Sequence, residues 1–124
     1  MTPRGAGTGI EGGAIPYAGG VVIDTSKLQR MDVDVRNAFV WVGAGVAKLQ
    51  LLKAVRKLGF LFGPDPLSNP FVGGMVPTAG SSMSTLKYGT TRENVLSLRV
   101  VTPPGEVVET RKVVRKSSAG LAVR

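Results

Sequence analysis

Apolar residues along this 124-residue chain fall into short blocks separated by glycine, proline and small polar residues. The first block, Val21-Val22-Ile23, is entered through Gly19-Gly20. A β-branched run behind a glycine turn predicts a strand over Val21–Ile23. Asp24, Thr25 and Ser26 then predict a turn, because each has a short polar side chain that can bond to nearby backbone. A second block, Phe39-Val40-Trp41-Val42, predicts a strand ended by Gly43 and Gly45. Within it Trp41 alternates with Phe39 and Gly43, which reads as a core position rather than a ligand contact.

The period then changes. Val46, Leu49, Leu52, Val55 and Leu58 recur at three-residue steps, with Lys48, Lys53, Arg56 and Lys57 available for an outer face. This predicts one amphipathic helix, stopped at Gly59. A short strand is expected after it. Residues 63–94 hold Pro64, Pro66, Pro70 and Pro77 among many glycines, serines and threonines. They predict a long segment that is mainly loop, with room for short helical turns; loops of that length in a compact domain are usually functional. Strands over Val95–Thr102 and Glu106–Thr110 flank Pro103-Pro104-Gly105 and predict a hairpin. The order predicts an α+β fold: a mostly antiparallel sheet with flanking helices and no linker that divides it.

Composition narrows the chemistry. Cysteine and histidine are both absent, which excludes disulfides, thiolate chemistry and the histidine-based nucleophile systems. The acidic residues are scattered and nowhere have metal-ligand spacing. Any reaction therefore falls to a cofactor or to residues outside this sequence. No run reaches the length of a membrane span, and the opening Met1-Thr2-Pro3-Arg4 lacks the apolar core of a signal peptide.

The net charge of +8 points to an anionic partner: nucleic acid, a membrane surface or a phosphate-bearing ligand. The densest basic cluster is Arg111 to Lys116, and Lys112, Arg115 and Lys116 read as solvated surface. One Trp, two Tyr and four Phe are too few to interleave with it as stacking platforms, which weighs against nucleic acid.

Two glycine-rich loops focus the question. Pro3 to Pro16 contains Gly5, Gly7, Gly9, Gly12 and Gly13, a composition that builds no regular element. Glycine permits close backbone approach, and successive N–H groups can form an anion-binding concavity. A Walker loop is excluded by sequence. Gly7 to Gly12 matches G-x-G-x-x-G by letter, yet no strand is predicted before it and Pro16 blocks a helix after it. Phe39 to Val55 enters Gly43-Ala44-Gly45 from a strand and leaves into a helix, but Lys48 stands where close helix–strand packing wants a small residue. That segment reads as a tight strand-to-helix turn.

Taken in order, "PRGAGTGIEGGA", "GPDPLSNPFVGG", "LKYGTTRENVLSLRVVTPPGEVVET" and "RKSSAG" resemble the flavin-binding domain of the vanillyl-alcohol oxidase type, nearest to the cytochrome-reducing D-lactate dehydrogenases. The resemblance runs from Pro3 to about Gly120 and implies FAD as cofactor. It assigns residues 1–120 to a partial FAD-binding domain and 121–124 to a tail.

By the same resemblance Arg4, Gly5, Ala6, Gly7, Thr8 and Gly9 are expected to wrap the FAD pyrophosphate. Pro64, Asp65, Pro66 and Ser68 are expected to line the cofactor, with Gly73, Gly74, Met75, Thr78, Ala79, Gly80, Ser81, Ser82, Tyr88 and Gly89. Within this set Asp65 is read equally as a turn cap and Tyr88 equally as a packing residue, and Arg92 as a partner of Glu93 or a capping residue. The implied activity is oxidation of a D-2-hydroxy acid, with electrons passed to cytochrome c or another acceptor. A mitochondrial location is implied by eukaryotic relatives.

Set against the family pattern, the chain reads as a fragment without an upstream subdomain or a substrate-binding cap. The isolated chain is therefore expected to be inactive, and exposed apolar surface is expected to favour self-association. The alternative class is a small basic non-enzymatic protein that binds nucleic acid or another acidic partner.

Overall fold

The computed structural model describes residues 1–110. The basic cluster Arg111–Lys116, the "RKSSAG" motif and the 121–124 tail lie outside the described residues.

The described strands form three separate pairs. Strand β1 (Thr2–Arg4) pairs in parallel with β2 (Val22–Asp24), with Thr2 opposite Val22 and Arg4 opposite Asp24. The first glycine loop is the connection between them. Strand β2 forms one residue later than expected, and the predicted turn follows it: Ser26 N–H donates to Asp24 Oδ1 at 2.7 Å. Strand β3 (Met31–Asp34) pairs antiparallel with β4 (Phe39–Val42), which spans the predicted residues. Their turn is capped by Asp34, which accepts from the Asn37 N–H at 3.0 Å and the Asn37 side chain at 2.9 Å.

The strand-to-helix turn after β4 is built for close approach rather than for a dinucleotide. A Cβ at Gly43 would collide with the Leu28 carbonyl, and one at Gly45 with the Thr25 carbonyl. Gly45 N–H donates to Leu28 O at 2.9 Å, so the turn is pinned to the β2–β3 connection.

Helix α1 (Lys48–Lys57) follows. The Ala47 N–H is capped by the Gln50 side chain at 2.9 Å. The predicted apolar stripe needs correction. Val46, Leu52 and Val55 are buried, but Leu49 and Leu58 are exposed, and Leu51 takes their place. The reason is geometric: three-residue steps fall short of the 3.6-residue turn, so the series drifts around the helix. Each fully buried leucine or valine on this face contributes about 1.5–3 kcal/mol. Gly59 ends the helix as expected. It has φ +81°, Phe60 N–H reaches back to Val55 O at 3.0 Å, and Gly59 N–H to Arg56 O at 3.0 Å. This is the paired hydrogen-bond pattern of a glycine-terminated helix.

No strand forms between Gly59 and the long segment, contrary to expectation. The long segment itself holds three single-turn helices: α2 (Val72–Met75), α3 (Thr85–Tyr88) and α4 (Thr91–Asn94). The hairpin forms, with shorter strands than predicted: β5 (Arg99–Val101) and β6 (Val107–Glu109), joined by a turn in which Gly105 has φ +92°.

The core lies between α1 and α2. Val46, Leu51, Val55 and Val72 are its buried members, flanked by Met31, Val40, Val42, Phe60 and Phe62. Trp41 is not part of it. It is 41% exposed and packs edge-on against Phe39 at 6.4 Å between centroids. Trp41 faces away from the α1 side of a hairpin whose Val40 and Val42 reach the core. The α+β class holds. Two of the strand pairs are antiparallel and one is parallel, and they are not joined into one sheet among the described residues.

Candidate functional site

The loop that follows β1 begins at Arg4, the strand's last residue, and runs through Gly5, Ala6, Gly7, Thr8 and Gly9. Among the described residues, the backbone N–H groups of Gly5 to Gly9 find no hydrogen-bond acceptor. Except for half-buried Gly5, the loop is exposed. Gly7 has φ +69°, which a residue with a side chain adopts only under strain. The Arg4 guanidinium lies over it: a Cβ on Gly7 would be 3.4 Å from an Arg4 terminal nitrogen. Arg4 makes no salt bridge among the described residues. A run of unpaired N–H groups beside a guanidinium attracts anions.

This loop touches the second glycine segment. A Cβ on Gly5 would lie 3.4 Å from the Phe71 ring. Phe71 precedes α2 in extended conformation, forms a bridge to Ala47, and leads into Gly73 and Gly74. The two glycines differ. Gly73 is held against Ala44, whose carbonyl accepts its N–H at 3.0 Å; a Cβ there would sit 2.6 Å from the Ala44 Cβ. Gly74 is exposed, has no atom within 4 Å of its missing Cβ, and does not take positive φ. Gly9 is likewise open with ordinary φ. Neither internal packing nor backbone conformation asks for glycine at these two positions.

The remaining expected residues sit around α2, α3 and the preceding loop. Pro64 is fully buried and Met75 is 2% exposed, so both hold the scaffold with their side chains. The Thr78 hydroxyl donates to Gly74 O at 3.0 Å. Ala79 is left-handed at φ +48°, and Gly80 N–H returns to Met75 O at 2.9 Å, closing the end of the α2 turn. Gly80 is anchored by Thr91, which donates to its carbonyl from both N–H (3.0 Å) and hydroxyl (2.7 Å). Ser81 is exposed.

Ser82 N–H donates to Thr85 Oγ1 at 2.8 Å, and its hydroxyl meets that of Ser84 at 2.8 Å. Ser84 in turn donates to Gly63 O at 2.7 Å. Tyr88 packs its Cβ against Gly63 and carries the Lys87 ammonium 5.1 Å above its ring. Gly89 turns the chain at φ +78°. Arg92 donates its N–H to Thr90 Oγ1 at 3.2 Å, while Glu93 rather than Arg92 completes the cap, accepting from Thr90 N–H at 2.6 Å. The same Thr90 contacts hold the Glu93 carboxyl below the usual range.

Asp65 is neither a simple turn cap nor free. It pairs with Lys48, Nζ to Oδ1 2.6 Å. Asp65, Pro66 and Ser82 meet at a groove of about 740 Å³, lined also by Lys48, Leu49 and Ser84. Ser68 is exposed and lies outside that lining; the Arg4–Gly9 loop and Gly73–Gly74 also lie outside it. The expected residues thus form two neighbourhoods: the anion-attracting loop against Phe71, and the groove beside α1.

Lys48, Phe71 and Thr91 organise these neighbourhoods and were not singled out as site residues from sequence. Lys48 entered the sequence reading as a residue too large for a dinucleotide turn and as part of an outer helix face; it is instead buried, 4% exposed. Among the described residues there is no group of acidic side chains suited to a metal, and no helix long and apolar enough to cross a membrane.

The family model described as "FAD binding domain" matches residues 1–111. A D-lactate dehydrogenase of Archaeoglobus fulgidus is 39% identical over 97% of this chain and 27% of its own length. The mitochondrial D-lactate dehydrogenase [cytochrome] of Arabidopsis thaliana is 40% identical over 97% of this chain and 21% of its own. A glycolate oxidase subunit of Bacillus subtilis is 34% identical over 97% of this chain and 26% of its own. The chain thus spans about a quarter of the length of these relatives. With a family match over nearly all of its residues, the chain belongs to the FAD binding domain family.

Proposed function

We propose that this chain supplies a large part of the FAD site of a flavin-dependent dehydrogenase that oxidises a D-2-hydroxy acid such as D-lactate, passing electrons to cytochrome c or another acceptor. One observation carries the cofactor reading. Gly9 and Gly74 have open space where a Cβ would stand and no conformational need for glycine, and the N–H groups of Gly5 to Gly9 lack internal acceptors. A diphosphate approached closely by main chain explains both features at once.

The geometry supports the following roles. The Gly5–Gly9 N–H groups and the Arg4 guanidinium bind the pyrophosphate. Gly74, kept bare, admits the cofactor to the α2 turn, and Thr78 fixes that turn through the Gly74 carbonyl. Asp65, Pro66 and Ser82 shape the groove beside α1. Bound FAD supplies the hydride acceptor for oxidation at C2 of the hydroxy acid. The chain has no histidine, so the base that removes the hydroxyl proton is not a histidine of this segment.

The substrate class rests on relatives named for D-lactate, glycolate and D-2-hydroxyglutarate. The plant and zebrafish relatives are named as mitochondrial, while others come from archaea and bacteria. The basic non-enzymatic alternative draws on charge alone and is not favoured. Flavin fluorescence titration is the test. FAD is expected to bind in the micromolar range, with ADP competing and Gly74→Val abolishing the signal. Polynucleotide binding that falls steeply with salt, without any FAD response, would support the alternative instead.

A further inference from the structure

Lys48 is a buried cation on the first turn of α1, with 5% of its side chain exposed, facing an Asp65 carboxylate that is 49% exposed. Its ammonium makes two contacts at 2.6 Å, to Asp65 Oδ1 and to the Pro66 carbonyl. Burying a lysine is tolerable only when its charge is paired and its remaining donors are used. The asymmetry matters. Asp65 has water as an alternative partner; Lys48 has only the loop.

The later part of the same loop is tied to α1 by main chain: Lys48 N–H donates to Pro70 O at 2.9 Å and Leu49 N–H to Asn69 Oδ1 at 3.0 Å. The Asp65–Pro66 corner has no such tie. Among the described residues its hydrogen-bond and ion-pair contacts are those to the Lys48 ammonium. Both corner residues line the groove, with Lys48 at its wall and Ser82 opposite in sequence but adjacent in space.

We infer that Lys48 is a positioning residue for FAD binding: its ammonium sets the Asp65–Pro66 corner that shapes the groove, an inference that rests on the cofactor reading above. It acts through Asp65 and Pro66, not by being a small residue in a dinucleotide turn. Beside Lys48, the buried face of α1 is made by Leu51, Leu52 and Val55.

The test compares wild-type chain with Lys48→Met, which keeps the length and removes the donors, Lys48→Arg, which keeps the charge, and Asp65→Asn. Each is titrated with FAD by flavin fluorescence and followed by amide hydrogen exchange without ligand. Lys48→Met is expected to weaken FAD about ten-fold or more, the scale of a lost hydrogen bond to a charged group. Amides of 51–57 are expected to stay protected, because Lys48→Met leaves the helix in place. Lys48→Arg is expected to recover part of the affinity, and Asp65→Asn to lose less than Lys48→Met because the Pro66 bond survives.

Wild-type binding with unchanged affinity in Lys48→Met overturns the positioning role and leaves the cofactor reading intact. Loss of protection throughout 51–57 in Lys48→Met also overturns it, since Lys48 would then be structural. A folded wild type that binds no FAD overturns the cofactor reading and this inference together.

Discussion

Gly73 lies against Ala44: its N–H donates to the Ala44 carbonyl at 3.0 Å, and a Cβ on it would come within 2.6 Å of the Ala44 Cβ. One residue on, Gly74 faces open space. The adjacent glycines therefore differ: packing accounts for Gly73, and the proposed cofactor contact for Gly74. Gly73→Ala is expected to destabilise the fold by about 1–3 kcal/mol, the usual cost of overpacking. Gly74→Ala is expected to be neutral or stabilising by up to about 1 kcal/mol in the absence of ligand, since alanine favours the helical turn. Urea denaturation of both variants checks this, and equal losses would remove the distinction.

Thr91 is 1% exposed and its hydroxyl donates to Gly80 O at 2.7 Å. Thr91→Val keeps the shape and removes the donor. Its main-chain bond to the same carbonyl remains, so the loss is expected to be modest, about 1 kcal/mol. Thr91→Ala, which also leaves a small void, is expected to cost more. Chemical denaturation of the pair separates the hydrogen bond from the packing.

Ala79 is held at φ +48° in a position where helices usually end on glycine. The left-handed region costs a side-chain residue roughly 1 kcal/mol. Ala79→Gly is expected to raise stability by a fraction of that, because glycine also gains freedom in the unfolded chain. A lowered melting temperature would mean that the Ala79 methyl contributes more through packing than its conformation costs.

Glu93 accepts from the Thr90 hydroxyl and N–H, and these bonds lower its pKa in the folded chain. A depressed carboxylate contributes stability that is full above the ordinary glutamate value and is lost as pH falls through the lowered folded value. Wild type is therefore expected to lose more stability on acidification than Glu93→Gln. Asp24 and Asp34, lowered mainly by bonds from Ser26 and Asn37 respectively, retain their own acid sensitivity in both proteins. Urea midpoints at neutral pH and near about pH 3 give the difference. Identical pH dependence in the two proteins would show that the cap adds nothing.

Much of the fold was legible because local rules coincide with it. Val21–Ile23, Phe39–Val42 and the Pro103–Gly105 hairpin carry strong strand and turn chemistry, and Gly59 ends its helix by the expected left-handed turn. Strand β1 was hidden because Thr2-Pro3-Arg4 is short and leads into glycines; it exists through parallel pairing with a strand far along the chain. Strand β3 was missed although Met31-Asp32-Val33-Asp34 alternates apolar and polar: it is four residues long, half of it is strand-disfavouring Asp, and it is fixed by its partner β4.

The site was less legible. Glycine letters do not say whether the pressure comes from Ala44, as at Gly73, or from open space, as at Gly74. Lys48 looked like surface because nothing in its neighbourhood in sequence announces Asp65 and Pro66, which only tertiary folding brings to it.

The central claim is that both glycine segments face one FAD. The most direct measurement is the backbone amide spectrum of isotope-labelled chain during FAD titration. The account predicts that amides of Gly5 to Gly9 and of Gly73 to Met75 shift together, saturating with one affinity, and that ADP alone moves the first group. Binding that leaves the Gly5–Gly9 amides unmoved, or a folded chain whose spectrum does not respond to FAD at all, would contradict it.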